Sequence, residues 1–514
     1  MPNTSSHPPQ DDPRRGDPRR NSQGRERSAA RSRPGERPRT SQAPSERRKR
    51  TDPARMAAFD VLREVDESDA YANLVLPPLL RERQIRGRDA GFATELTYGT
   101  LRLRGRYDAI LATCVDRPLP GLDPALLDVL RLGSHQVLGM RVPVHAAVSE
   151  TVGLARNRVG AGPAQMVNAV LRRVSERSLD EWLAVLTKEA PDALAGLAAT
   201  ESHPMWIARA MREALAGNGR DVDEIGALLA ADNVPPRVTL VARPGLVDVS
   251  DETAWGDAEL VGGRWASTAL RLEGSDPAGI PAIREGLAGV QDEGSQLVTL
   301  ALAEAPLEGR DERWLDLCAG PGGKAALLAA LAAQRGATLV ANEVAPHRAR
   351  LVANALAAMP EGAVEEVRTG DGREVGADEP GAYDRVLVDA PCTGLGALRR
   401  RPESRWRRTP SDLAALTGLQ RELLASALDA VRPGGVVAYV TCSPHLAETQ
   451  LVVSDVLKKR DDVERLDTAA AVRSVVSASG ATEEIPLSDR DDVQLWPHVH
   501  GTDAMHLTLL RKVG

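Results

Sequence analysis

At 514 residues the chain is too long for one hydrophobic core. Its four cysteines, Cys114, Cys318, Cys392 and Cys442, are too scattered for a disulfide framework or a C-x-x-C zinc knuckle. The first residues carry no apolar run and no stretch of about 18 apolar residues occurs, which argues against secretion and membrane spanning and for a cytoplasmic protein. The net charge of −7 is unevenly shared: residues 1–50 hold 14 Lys and Arg against 6 Asp and Glu, a balance of +8 that leaves −15 for the remainder.

Taken in chain order, residues 1–51 are rich in Pro, Ser, Gly and Arg and too poor in apolar side chains to offset the entropy of ordering. A disordered tail is expected, either touching RNA phosphates or acting as a solubilising extension. Residues 52–190 read as an all-α bundle. Met56, Phe59, Leu62 and Val65 recur at three-residue steps, and "PALLDVLRLGSHQVLGM" and "AQMVNAVLRRV" repeat the stripe. Within it Arg102, Arg104 and Arg106 lie between Tyr98 and Tyr107, a pattern open to RNA stacking or to a solvated helix face over buried tyrosines. Residues 191–312 continue with helix and then give β-like pieces, "RVTLVA" and "LVGGRWAS", as expected of a small α+β insert. From Arg313 to 514 strands and helices alternate: "WLDLCA", Ala325–Ala333, "TLVANE", His347–Met359, "YDRVLVDA", Asp412–Val431 and "GGVVAYVTC". This implies a mostly parallel, Rossmann-like sheet covered on both faces.

The chemistry concentrates in that last region. "WLDLCAGPGGKAALLAAL" is a buried strand, a glycine turn and a helix; Gly320, Gly322 and Gly323 let backbone N–H groups approach a ligand. Glu343, Asp371 and Asp389 close successive strands, where acidic side chains line the crevice of an open α/β sheet and hold a nucleoside. NAD and S-adenosylmethionine both suit that outline. Cys392 and Cys442, each just past a strand end, favour the second. Carbon 5 of cytosine is a poor nucleophile until a thiolate adds to carbon 6, and a second thiol is useful when the product is released. The cluster Arg399, Arg400, Arg401, Arg405, Arg407 and Arg408 around Trp406 fits either phosphate contact with stacking or a loop pinned by carboxylates.

The blocks "QDEGSQL", "DLCAGPGGK", "DAPCTGLGALRRRPESRW", "YVTCSP" and "WPHVHGTD" resemble the signatures of Sun-type, RsmB-like RNA cytosine-5 methyltransferases. The segment containing "RDAGFATELTYGTLR" and "VNAVLRRV" is similar to the NusB-like RNA-binding domain that precedes the catalytic part in that family. The resemblance implies a multidomain protein: an all-α NusB-like bundle, an α+β insert, and a Rossmann-like class I methyltransferase domain. It implies Cys442 as nucleophile, Cys392 as the thiol of product release and Asp389 as a contact to the cytosine edge. S-adenosylmethionine would lie on Cys318, Ala319, Gly320, Pro321, Gly322, Gly323 and Lys324, with Glu343 at the ribose, Asp371 near the adenine and Asp389 adjoining. RNA would meet Arg399, Arg400, Arg401, Arg405 and Trp406. Cys318 contributes mainly backbone, and Cys114 a structural thiol in the helical domain. The expected partner is small-subunit ribosomal RNA, with no metal and no membrane; oligomeric state is not legible and a monomer is the default. Ala504, Met505 and His506 stand where similar proteins have Gly-Phe-Phe. The rival readings are the same chemistry on transfer RNA or another ribosomal site, a non-catalytic RNA-binding assembly factor, and a nicotinamide dehydrogenase.

Overall fold

The computed structural model describes residues 52–274 and 276–513. The basic tail, on which the expectations of disorder and RNA contact fall, lies outside the described residues. Helices run from Pro53 to Ala231. The first, Pro53–Glu67, starts where the Asp52 carboxylate accepts the Arg55 N–H at 2.9 Å and a proline fills the first position. Its expected stripe is real: Phe59, Leu62 and Val65 are buried in a core that includes Leu130, Val167 and Leu171. Gly133 is needed there, because a Cβ would stand 2.5 Å from Leu171. Cys114 is buried in the same core, as expected of a structural thiol. The tyrosine–arginine segment is also internal. Tyr107 is buried with its hydroxyl 2.7 Å from His135 Nδ1, and Arg102 and Arg106 are buried, the latter donating to Thr200 O. An RNA surface at those two arginines is excluded by their burial.

Helices Ala193–Thr200, Met205–Gly217 and Ile225–Ala231 share a small core with Leu395, Leu398 and Trp496 of the C-terminal region. A four-stranded antiparallel sheet follows, with strands β1 (Val238–Ala242), β2 (Glu259–Gly262), β3 (Ala269–Glu273) and β4 (Ala288–Val290) in the order β2-β3-β1-β4. "LVGGRWAS" is thus only half strand. After Gly262 the chain turns, and Trp265 is buried with its backbone N–H on the Glu293 carboxylate at 2.6 Å.

The C-terminal sheet contains β5 (Arg313–Asp316), β6 (Thr338–Asn342), β7 (Val364–Arg368), β8 (Tyr383–Asp389), β9 (Val431–Thr441), β10 (Val463–Arg465), β11 (Val493–Gln494) and β12 (His506–Lys512). Its order is β10-β12-β9-β8-β5-β6-β7, with β11 paired to β12. Strands β5 to β9 are parallel, while β12 runs antiparallel to β9. Helices cover both faces, so Val386, Leu387 and Val388 are all buried and the strand reads as a continuous apolar run. Strand β7, "VEEVR", escapes sequence reading because it is the sheet edge and mostly solvated. Ala504, Met505 and His506 are buried, and Ala504 N–H donates to Gly396 O at 2.9 Å, so their departure from Gly-Phe-Phe is accommodated in the packing. Among the described residues no helix is long and apolar enough to cross a membrane.

Candidate active site

Chain direction reverses its winding between β5 and β8, and a crevice opens beyond the carboxyl ends of these neighbours. Asp316 ends β5, Asp389 ends β8 and Thr441 ends β9. Asp389 lies opposite Val440 in the β8–β9 register, so the loops that carry Cys392 and Cys442 leave the sheet side by side. Their sulfurs are 3.4 Å apart. Gly396 N–H donates to Cys442 O at 2.9 Å, and a Cβ on Gly396 would stand 2.1 Å from Ala504 O, so the loop closes only with glycine there.

The two thiols are electrostatically unlike. The hydrogen bond from Cys392 holds the Cys442 thiol below its ordinary value despite burial, and the Lys324 ammonium works the same way. Cys392 is pushed well up by that same hydrogen bond and by burial. Lys324 Nζ sits 2.8 Å from Asp389 Oδ2. Burial works against its charge, but Asp389 and Cys442 overcome this and raise it above the ordinary lysine range.

The glycine loop adjoins this pair. Gly322 has φ 112° and a Cβ there would meet Ala355 at 2.7 Å; at Gly320 it would meet Glu343 Oε2 at 2.3 Å. Gly320 N–H donates to that oxygen at 3.0 Å, and Ala345 N–H to Glu343 Oε1 at 3.0 Å. Gly323, by contrast, faces open space, since a Cβ there would have no neighbour closer than 3.9 Å. It begins the helix Gly323–Gln334, whose first N–H groups lack intrahelical partners. Pro321 is exposed and Ala319 buried. Beneath lies Asp316, fully buried, with Oδ2 free of any protein hydrogen bond. Burial, then the charge of Asp389, pushes its carboxyl up to about 8. An unpartnered buried carboxylate under a glycine cradle fits the amino group and nucleoside of S-adenosylmethionine. Cys318 lines the same place; burial and then Asp316, Asp389 and Glu343 raise its thiol far above the reactive range.

Asp371, expected near the adenine, is held by Arg373, whose Nε lies 3.0 Å from both carboxylate oxygens. The arginine cluster is largely an internal latch. Arg405 is fully buried, and its guanidinium donates to Arg102 O, Ser202 O, Asn233 Oδ1 and Asp232 O in the helical region. Arg399 is buried and donates to Gly501 O at 3.0 Å; Arg400 is paired with Asp503. Arg407 donates to Asp69 O at 2.8 Å and to Val65 O at 2.7 Å, while Trp406 packs on Gly105. Arg401, exposed, lies over Tyr71 at 4.7 Å. An RNA contact at Arg399 and Arg405 is therefore corrected to a protein contact: buried guanidiniums find carbonyl and carboxylate acceptors inside the fold, as the alternative of a pinned loop anticipates.

Three side chains near the thiols escape the sequence reading. Asp316 opens "DLCAGPGGK" and was legible as a strand-end acid. Asp503 belongs to "HGTD" and is fully buried against Arg399 and Arg400, within electrostatic reach of Cys442. Glu448 lies in "HLAETQ", with nothing in its local pattern to mark it.

A family model described as 16S rRNA methyltransferase RsmB/F matches residues 303–511, and one described as NusB family matches residues 52–176. A putative methyltransferase of Mycobacterium tuberculosis (strain ATCC 25618 / H37Rv), Rv1407, is 51% identical over 468 residues, covering 91% of this chain and 98% of its own. The ribosomal RNA small subunit methyltransferase B of Pseudomonas putida is 30% identical over 423 residues, covering 81% of this chain and 91% of its own. The crystal structure of PH0851 superposes with a TM-score of 0.70 at 22% identity, over 89% of this chain and 97% of that one, a likeness of fold.

Proposed function

The chain belongs to the 16S rRNA methyltransferase RsmB/F family, and from that premise we propose that it forms 5-methylcytidine in small-subunit ribosomal RNA by covalent thiolate catalysis. The observation that carries this reading is the sulfur pair, 3.4 Å apart, with Cys442 the more acidic member beside Lys324. A methyltransferase acting on oxygen or on an amine has no use for two such thiols.

In this reading the Cys442 thiolate adds to carbon 6 of the cytosine, the displaced electron pair makes carbon 5 nucleophilic, and one hard step becomes easier ones. Bound S-adenosylmethionine supplies the electrophilic methyl group. Lys324 steadies the Cys442 thiolate before attack and holds Asp389, whose carboxylate accepts from the exocyclic amino group of the base. Once carbon 5 carries the methyl group, its proton passes to water, the freed electron pair restores the carbon 5–carbon 6 double bond, and the carbon–sulfur pair returns to Cys442; Cys392, in contact with that sulfur, donates a hydrogen bond to it as it departs. Asp316, Glu343 and the Cys318–Lys324 backbone hold the cofactor. The target carbons are shielded within a stacked duplex, so the cytidine is presented from a loop or flipped out, and the NusB-like helices position the RNA.

The test is methyl transfer to ribosomal RNA with bisulfite mapping of the product. Cys442→Ala should give no methylated cytidine, and Cys392→Ala should leave a protein–RNA adduct that survives a denaturing gel. Methylation by the Cys442 variant, or an adduct with the roles exchanged, would overturn the reading.

A further inference from the structure

Besides the sulfur contact and the Gly396–Cys442 backbone hydrogen bond, the two cysteine loops meet at a buried carboxylate. Glu448 is fully buried at the end of a short 3-10 turn, Leu446–Glu448, that follows β9. Its Oε1 accepts the Thr393 backbone N–H at 2.7 Å and Gln420 Nε2 at 3.2 Å. Its Oε2 accepts the Ser443 hydroxyl at 2.6 Å and the Thr393 hydroxyl. The two hydroxyls themselves are 3.2 Å apart. Thr393 directly follows Cys392 and Ser443 directly follows Cys442. A single carboxylate thus joins three segments: both cysteine loops and the helix Pro410–Ala430 that carries Gln420.

We propose that Glu448 is a positioning residue of the reaction, a staple whose carboxylate binds Thr393 and Ser443 together and thereby holds Cys392 and Cys442 in thiol contact. This rests on the thiol-pair reading of the function. A carboxylate is the right group for the task. Ionised, it is acceptor-only, with room for all four donors, and charge-assisted bonds of this kind are about twice as strong as neutral ones. A buried carboxylate stripped of those donors is strongly disfavoured, so the donors must stay where they are. Its charge has a second effect, since it adds to the forces that keep the proton on Cys392 and so leaves the negative charge to Cys442. The other groups that face the pair are Lys324, Asp389 and Asp503 around Cys442, Arg400 beside them, and Tyr439 near Cys392. Of these only Glu448 is bonded to both loops.

The experiment uses the full chain without RNA or cofactor and measures how fast diamide links Cys392 to Cys442. Two thiols become one disulfide, the diazene takes up both hydrogens, and peptide mass spectrometry locates the bond. Wild type should link readily. Glu448→Ala should slow linkage about tenfold or more, and kcat for methyl transfer should fall about 10- to 100-fold with KM for RNA within about threefold, as expected of misplaced reacting groups. Glu448→Gln, which keeps the shape and can bridge the same hydroxyls, should restore linkage to within about twofold. It should also make Cys392 react with iodoacetamide at lower pH, an effect of charge that loss of stability cannot mimic. Should Glu448→Ala fail to fold, Thr393→Val with Ser443→Ala removes the two hydroxyl arms and should slow linkage equally. Wild-type linkage and wild-type kcat in Glu448→Ala, or wild-type linkage in the double variant, would overturn the staple. Linkage reads the staple alone: if it is lost as expected while Cys442→Ala still methylates, the thiol mechanism falls and the staple stands.

Discussion

The segment 389–408 begins in the thiol pocket and ends in the latch, and the two ends treat buried charge differently. At Arg405 the two terminal nitrogens of the guanidinium meet three main-chain carbonyls and Asn233, all from the helical region. Lys324, Asp389 and Cys442 face one another across a crevice, and Asp316 Oδ2 beneath them has no protein partner. Buried arginine whose terminal nitrogens meet carbonyls of another segment marks assembly, whereas a buried carboxyl open to a glycine-lined crevice marks a candidate site.

Variants at the two ends should therefore fail in separate ways. Cys442→Ala should remove methyl transfer entirely and leave the urea midpoint within about 0.5 kcal/mol of wild type, because a small, partly exposed side chain contributes little packing; a large loss of stability would break the contrast. Arg405→Ala should cost about 3–5 kcal/mol in urea denaturation, since Asp232 and its neighbours lose their counter-charge in the interior. A stable Arg405 variant would show that the latch is dispensable.

Acid and alkali sharpen the same contrast. Burial, aided by the charge of Arg405, pushes His203 in the latch down to about 4 from 6.5. The unfolded chain then binds the extra proton first, so stability from this group is intact above pH 6.5 and is lost as pH falls toward 4. Asp316 in the pocket goes the other way, up to about 8 from 3.8. Its contribution is intact below pH 3.8 and is lost as pH rises through 8. Each group contributes a slope of at most about 1.4 kcal/mol per pH unit within its window. His203→Gln should flatten the rise of stability between about pH 4 and 6.5, and Asp316→Asn the fall between about pH 4 and 8, as followed by denaturation at fixed pH. The smallest effect is expected at Arg401→Ala, about 0.5–1 kcal/mol from the lost stacking on Tyr71.

Much of this was legible in the residues because the relevant signals are local. Period-three apolar positions predicted the first helix, and continuous apolar runs predicted β5, β6, β8 and β9. "DAPC" and "TCSP" predicted two thiols at strand ends, and the family comparison agrees with the class of protein those blocks resemble. What sequence missed depends on the third dimension. An arginine's charge is visible in a row of letters, but whether carbonyls of residues 102, 202 and 232 lie around it is not. Glu448 is 55 positions from Thr393, and only the side-by-side exit of β8 and β9 brings them together.

The reach of Arg405 and Arg407 into the helical region has a further result. Because those side chains are threaded through Arg102, Ser202, Asp232 and Val65, the helical bundle and the loop that carries Cys392 are tied into one body, and the span between them is fixed.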